Sequence, residues 1–289
     1  MTLSTNPVTP ATPTTPAPAV GLADVNAGYR NRVALENVSV TIPRGSLVAI
    51  FGPNGGGKST LLKVIAGLLR PWSGTVEVLG APPLVEAHRV AYVPQAELVD
   101  WSFPVSVWDV AMMGRYPRLG PVRRPDRSDR EAVEHALERV KMADRRASQI
   151  GALSGGQRRR VFLARAIAAQ PDLYLLDEPV TGVDVTTQED LMALLKAETD
   201  LGRTAIATTH DLPAAAEHFH TVVALNRRVI CFGPSSLVLD PEVLSATYGG
   251  HLLMLGSQAV VLDDAHHHDA ASGPEQHFHE EGEKGSHHR

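Results

Sequence analysis

One stretch constrains this 289-residue chain more than any other. Residues 52–60 read Gly-Pro-Asn-Gly-Gly-Gly-Lys-Ser-Thr, the pattern G-x-x-x-x-G-K-[ST], between an apolar run at 47–51 and a helical pattern over 59–69. A strand, a glycine-rich loop and a helix in succession predict a parallel sheet with crossover connections. The glycines let backbone N–H groups turn inward around phosphate oxygens, at a helix N-terminus whose dipole favours anions. Gly52, Pro53, Asn54, Gly55, Gly56, Gly57 and Thr60 would form this cradle. Lys58 can reach the β- and γ-phosphates of a nucleotide, and the Ser59 hydroxyl can bind Mg²⁺.

The remaining pattern is that of an α/β core. Apolar runs recur at 173–176, 204–208 and 222–225, with helical stretches at 188–199 and 214–219 between them. Residues 33–42 and 75–79 have the alternation and β-branched content of half-buried antiparallel strands. Over 129–142, Ala132, Val133, Ala136, Leu137 and Val140 fall on one helical face. The body, 22–262, thus divides into a β-rich flank, a parallel core and a helical insertion at about 97–165. Residues 1–21, rich in proline and threonine, are expected to be a disordered lead-in, and 263–289 a disordered acidic tail. No apolar run is long enough to span a bilayer, and the single cysteine, Cys231, excludes an internal disulfide framework and argues for a reducing compartment. Residues 1–262 carry 25 basic and 25 acidic residues, a balance that argues against a general nucleic-acid binder.

Chemistry is expected at three further places. The run 173–176 ends in Asp177-Glu178; Asp177 can join the magnesium shell, and Glu178 can orient a water for attack on the γ-phosphate. His210, just beyond 204–208, is a candidate γ-phosphate sensor. Ser154-Gly155-Gly156-Gln157 precedes a helical run at 158–169, where Ser154 is a good N-cap and the glycines expose the first backbone donors. This second anion site must come to a nucleotide held by another chain, which implies two ATP molecules sandwiched between two subunits.

With these motifs in this order, the chain resembles the ATP-binding subunit of an ABC transporter, over nearly all of residues 22–255. The resemblance implies a P-loop ATPase fold, ATP hydrolysis with Mg²⁺, a homodimer, a multi-span transmembrane permease as partner, and a peripheral place for this chain on the cytoplasmic face of the cell membrane. It further implies that Tyr29 stacks on adenine, that Gln95 lies between magnesium and the permease, and that Asp184 belongs to the loop crossing the dimer. Ser154, Gly155, Gly156 and Gln157 match the family signature, and Gly56 stands where many members have another small residue. The segments 99–116 and 181–187 are similar to subunits of the manganese, zinc and iron uptake group, which implies an extracytoplasmic metal-binding protein reached through the permease. An importer of siderophores or haem is the nearest alternative, against which 99–116 argues.

A soluble ABC ATPase acting on nucleic acid or ribosomes is the rival from another class. Residues 115–165 hold fourteen bases against six acids, which could suggest nucleic acid, a solvated face, or the side nearest an anionic leaflet. Such proteins usually carry two sets of motifs or a long coiled coil, and this chain has one set and no heptad insertion. Trp101, Phe103, Val105, Val107, Trp108, Met112 and Met113 crowd into thirteen residues, and some are expected to line a groove for a short permease helix.

The tail holds seven histidines, in His266-His267-His268, His277-Phe278-His279 and His287-His288, among seven acids. It is either a solvated acidic tail without a role or a weak metal buffer, since imidazole with carboxylate suits zinc. As a buffer it binds zinc on the order of micromolar, in preference to manganese. Titration calorimetry should then show binding that weakens below about pH 6.5, as histidines protonate. Truncation after Leu262 removes that binding and leaves ATP hydrolysis intact; equal zinc binding by both forms identifies a tail without this role.

Overall fold

The computed structural model describes residues 18–95, 103–120, 122–180 and 185–249, and the backbone of 252–255 and 258–261. The lead-in up to residue 17, Trp101, Asp184 and the tail 263–289 lie outside the described residues.

The chain begins in a three-stranded antiparallel sheet. Strand β1 (Val20–Tyr29) lies between β2 (Arg32–Ile42) and β4 (Ser73–Val78). β1 starts ahead of the expected boundary at Leu22, and Ala19 and Val20 are already buried. The Ala19 N–H donates to Ile42 O at 2.8 Å, so the folded chain begins at least three residues earlier than the sequence suggests. Bulges between Leu22 and Val25 and between Val25 and Ala27 hide β1, because they break the period-2 alternation by which a strand is recognised.

β3 (Leu47–Phe51) leads through the phosphate loop into α1 (Lys58–Ile65). β3 belongs to a six-stranded sheet with β5 (Val90–Val93), β6 (Leu173–Leu176), β7 (Thr204–Thr208), β8 (Thr221–Asn226) and β9 (Arg228–Pro234), in the order β5-β6-β7-β3-β8-β9. The first five run parallel, and β9 returns antiparallel at the edge. β3, β6 and β7 are buried along their whole length, which explains their unbroken apolar sequence. Alternation divides their side chains between two cores. Val48, Ile50, Leu173 and Leu175 pack with α1 and the antiparallel flank, and Ala49, Phe51, Tyr174 and Leu176 pack on the opposite face. The carboxyl ends of β3, β5, β6 and β7 therefore lie side by side, the edge where open α/β sheets hold their ligands.

The helical insertion consists of α2 (Val107–Met112), α3 (Tyr116–Leu119), α4 (Arg127–Arg139) and α5 (Gly155–Ala168). Capping boxes at Ser106, Asp126 and Ser154 fix the starts of α2, α4 and α5. The insertion has its own buried ion pair, Arg115 Nε to Asp129 Oδ1 at 2.9 Å, and Arg115 also donates to Ala168 O on α5. Of the apolar cluster expected at a partner groove, Val107 and Met112 are core residues, Val105 and Trp108 pack partly against the core, and Phe103 is 62 % exposed. α6 (Val185–Asp200) and α7 (Leu212–His218) complete the crossovers, and α8 (Pro241–Tyr248) closes the body. A hairpin of β10 (Leu252–Leu255) and β11 (Gln258–Val261) follows. Among the described residues no helix is long and apolar enough to cross a membrane.

Candidate nucleotide site

The phosphate loop is shaped by close backbone approach. Gly57, the N-cap of α1, has φ 97°, and a Cβ there would lie 2.5 Å from Ala34 O. A Cβ on Gly52 would lie 1.9 Å from the carbonyl oxygen of Leu225. That oxygen lies near the end of β8, just before the turn into β9, which is itself anchored. Arg227 N–H donates to Gly56 O at 2.8 Å, Arg227 O accepts from Glu36 N–H at 2.8 Å, and Arg228 pairs with Glu36. Asn226 Nδ2 donates to Thr247 O on α8, and the buried Tyr248 ring lies beside Gly52. Burial pushes the Tyr248 hydroxyl up to about 12, opposed by the Gly52 backbone. The loop is therefore a backbone cradle braced by β2, the β8–β9 turn and α8. Lys58, buried at its base, donates to the carbonyl oxygens of Gly52 at 2.8 Å and Pro53 at 3.0 Å.

Asp177, at the end of β6, is 3 % exposed and joins four elements. Its Oδ1 accepts from Ser59 Oγ on α1 at 3.0 Å and from Thr208 Oγ1 on β7 at 2.8 Å. Its Oδ2 accepts from the Tyr92 hydroxyl on β5 at 3.5 Å, and its N–H donates to Val93 O. Burial first, and then the Asp177 charge, push the Tyr92 phenol well above its ordinary range, so it stays a neutral donor. Glu178 stands in the left-handed region at φ 50°, which costs about 1–2 kcal/mol for a residue with a Cβ. Thr208 helps hold it there, because Thr208 Oγ1 accepts the Glu178 N–H at 2.8 Å. The Glu178 carboxylate accepts from Gln95 Nε2 at 3.2 Å and lies 4.0 Å from His210 Nδ1.

Ser59, Lys58, Gln95, Asp177, Glu178 and His210 thus gather at one end of the sheet. Tyr29 is 46 % exposed at the end of β1, with the Lys63 ammonium 5.7 Å from its ring. The signature is built differently. Ser154 Oγ accepts the Gln157 N–H at 3.3 Å and the Ser154 N–H donates to Gln157 Oε1, so these side chains bond within their own turn. Gly155 and Gly156 have nothing within 4 Å of where a Cβ would stand, and Gly155 is exposed. Asp184, expected at a subunit crossing, lies outside the described residues. Sequence reasoning missed Thr208 and Tyr92. The signal for Thr208 was a hydroxyl closing the otherwise apolar end of a buried parallel strand.

A backbone phosphate cradle with lysine at its base, beside a buried Asp-Glu pair at the ends of parallel strands, defines a P-loop ATPase. A family model described as ABC transporter matches residues 35–181, and the chain belongs to that family. It is 42 % identical over 247 residues to the manganese transport system ATP-binding protein MntB of Bacillus subtilis, covering 86 % of this chain and 98 % of that protein. It is 46 % identical over 234 residues to the zinc transport system ATP-binding protein TroB of Treponema pallidum, covering 81 % and 88 %. Among solved structures, cbiO1 from Clostridium perfringens, part of the ABC transporter complex cbiONQ, superposes with TM-score 0.66 at 27 % identity, covering 80 % of this chain and 94 % of that one. The chain is therefore an ATP-hydrolysing, nucleotide-binding subunit of the ABC transporter class.

Thr208→Val removes a donor from Asp177 and orphans the Glu178 N–H, a loss of about 1–3 kcal/mol. Urea denaturation should show that loss, and steady-state ATP hydrolysis should fall about tenfold or more. An unchanged rate would mean that Thr208 does not hold the carboxylates for catalysis.

Proposed function

We propose that this protein powers the uptake of a divalent transition metal, manganese, zinc or iron, as an ATP-sandwich dimer on the cytoplasmic face of a membrane. The observation that carries the hydrolytic part is the cluster of Ser59, Asp177, Glu178, Gln95 and His210 beside the phosphate loop. The metal assignment is supported by relatives that include the manganese and zinc proteins above and the chelated iron transport system membrane protein YfeB of Yersinia pestis, 41 % identical over 250 residues, 86 % of this chain and 84 % of that protein.

In this reading the cradle binds the β- and γ-phosphates with backbone N–H groups, and Lys58 exchanges its carbonyl partners for phosphate oxygens. Ser59, Asp177 and Gln95 offer hydroxyl, carboxylate and amide oxygens, a donor set that fits Mg²⁺. Magnesium held there would neutralise phosphate charge. Glu178 accepts a proton from, and orients, the attacking water, and His210 donates to the γ-phosphate. Ser154 and Gly155, exposed at the start of α5, act with Gly156 to complete the site of a second subunit from outside, and Asp184 takes part in the crossing between subunits. Tyr29, at the end of β1, stacks on the adenine.

The permease contact is supported by exposed apolar surface. Leu68 and Leu84 are about 60 % exposed and line a cleft with Ile65, Val90 and Tyr92. Phe103 is exposed ahead of α2. A short apolar helix of the permease fits such a surface. Because Tyr92 both lines this cleft and bonds Asp177, docking there reaches the magnesium ligands directly.

In a deletion strain, restored cellular manganese, zinc or iron, read by mass spectrometry, tests the cargo. Glu178→Gln should keep ATP binding, lose about 10³-fold in turnover, roughly 4 kcal/mol, and accumulate as an ATP-bound dimer. Phe103→Glu should abolish uptake while the purified protein keeps its ATPase activity. Restoration of no metal refutes the cargo, and wild-type turnover in Glu178→Gln removes that residue from the mechanism.

A further inference from the structure

A second buried carboxylate lies away from the nucleotide. Glu198, on α6, is fully buried, and its neighbours come from three other parts of the fold. Tyr174 on β6 donates its hydroxyl to Oε2 at 2.5 Å. Arg203, immediately before β7, pairs with the same oxygen, and Arg139, the last residue of α4, pairs with Oε1. Burial alone would raise this carboxyl, but the hydrogen bonds from Tyr174, Arg203 and Arg139 hold it below its ordinary range, so it stays charged.

The positions of the partners give the cluster its meaning. Tyr174 is three residues before Asp177 along β6, about 10 Å at strand rise. Arg203 adjoins the start of β7, whose other end is Thr208, the residue that holds both Asp177 and Glu178. Glu198 therefore grips the near ends of the two strands whose far ends carry the chemistry. Arg139 belongs to the helical insertion, whose α5 begins at the signature and packs on α4.

Packing alone does not join the insertion to the core here. Beside the cluster, a cleft of about 100 Å³ runs between the two, lined by Val140, Leu163, Leu176, Leu191 and Leu194. Polar ties span the same boundary: Arg139 to Glu198, Lys141 to Asp190 at 2.8 Å, and Arg160 to Thr187 at 2.7 Å. The Arg139 tie has the buried end. A charge-assisted bond to a carboxylate shielded from water is stronger and less screened by salt than the exposed Lys141 pair.

We propose that Glu198 is a positioning residue, a latch that through Arg139 sets the signature-bearing insertion relative to the strands carrying Asp177 and Glu178. The proposal rests on the sandwich reading, since the signature acts at a partner's nucleotide. Severing the latch leaves the phosphate cradle of the same subunit intact, so ATP binding is retained and the hydrolytic step is lost.

The experiment uses the full-length purified protein. Arg139→Met keeps the apolar stem and cuts only this tie, leaving Glu198 with Tyr174 and Arg203. The expected result is a fall in kcat of tenfold or more with KM for ATP within twofold of wild type. Arg139→Lys should recover at least half of the lost rate, because Arg139 gives Glu198 one N–H bond that an ammonium can replace. Wild-type kcat in Arg139→Met overturns the latch. So does a parallel loss of kcat, ATP affinity and melting temperature, which is the signature of a structural tie only. The sandwich is read separately, from the wild-type rate per subunit against protein concentration. A rate that does not rise removes the sandwich and the inference with it, whereas a rising rate with a wild-type Arg139→Met removes the latch alone.

Discussion

At the carboxyl ends of three parallel strands, the Asp177 carboxylate collects the hydroxyls of Ser59, Thr208 and Tyr92. Each comes from a different element: α1, β7 and β5. A carboxylate this buried needs partners, and the three side chains that bond it here are all neutral donors. The consequence reaches outward. Fixing Asp177 fixes the end of β6, which places Glu178; fixing Ser59 fixes the first turn of α1, which places Lys58 under the phosphate loop. The sheet order puts β6 and β7 between β5 and β3, so the side chains involved have no freedom to separate without breaking the central ladder.

The loop beside this cluster is held by a different means. The Arg227 N–H of the β8–β9 turn meets Gly56 O, β2 backbone packs close against Gly57, and Lys58 meets the carbonyls of Gly52 and Pro53. Backbone bracing tolerates sequence change in the braces but none in the glycines. Gly56 shows this. A Cβ there would lie 2.9 Å from Pro53 O and 3.1 Å from Leu225 O. The glycine matches a turn that sits close.

The readable parts of this protein were those whose chemistry is contiguous. A phosphate cradle requires its glycines, lysine and serine in one short run, and the Asp177-Glu178 pair follows its strand directly, so both were visible before any contact was known. The unreadable parts depend on residues brought together from afar. Thr208 is 31 positions from Asp177 and Tyr92 is 85 positions from it, and neither belongs to a motif. β1 was hidden by bulges that put Asp24 and Asn37 in the left-handed region and broke its alternation. In the cluster between Trp101 and Met113 the sequence does not say which residues are buried, and burial divides them. Val107, Val110 and Ala111 are buried at helical spacing, with Met112 also buried at the end of α2, and the exposed Phe103 precedes the helix.

The left-handed backbone of Glu178 has an evolutionary meaning. Asparagine and glycine take that conformation at less cost than glutamate, so the position carries a standing conformational tension of about 1 kcal/mol. In the proposed mechanism, selection for turnover opposes its release. A descendant of this chain relieved of hydrolysis, kept solely to bind nucleotide, should drift at this site toward asparagine or glycine and gain stability as it does so. With Glu178 in its proposed role, the residue at this one position records whether a lineage still spends ATP.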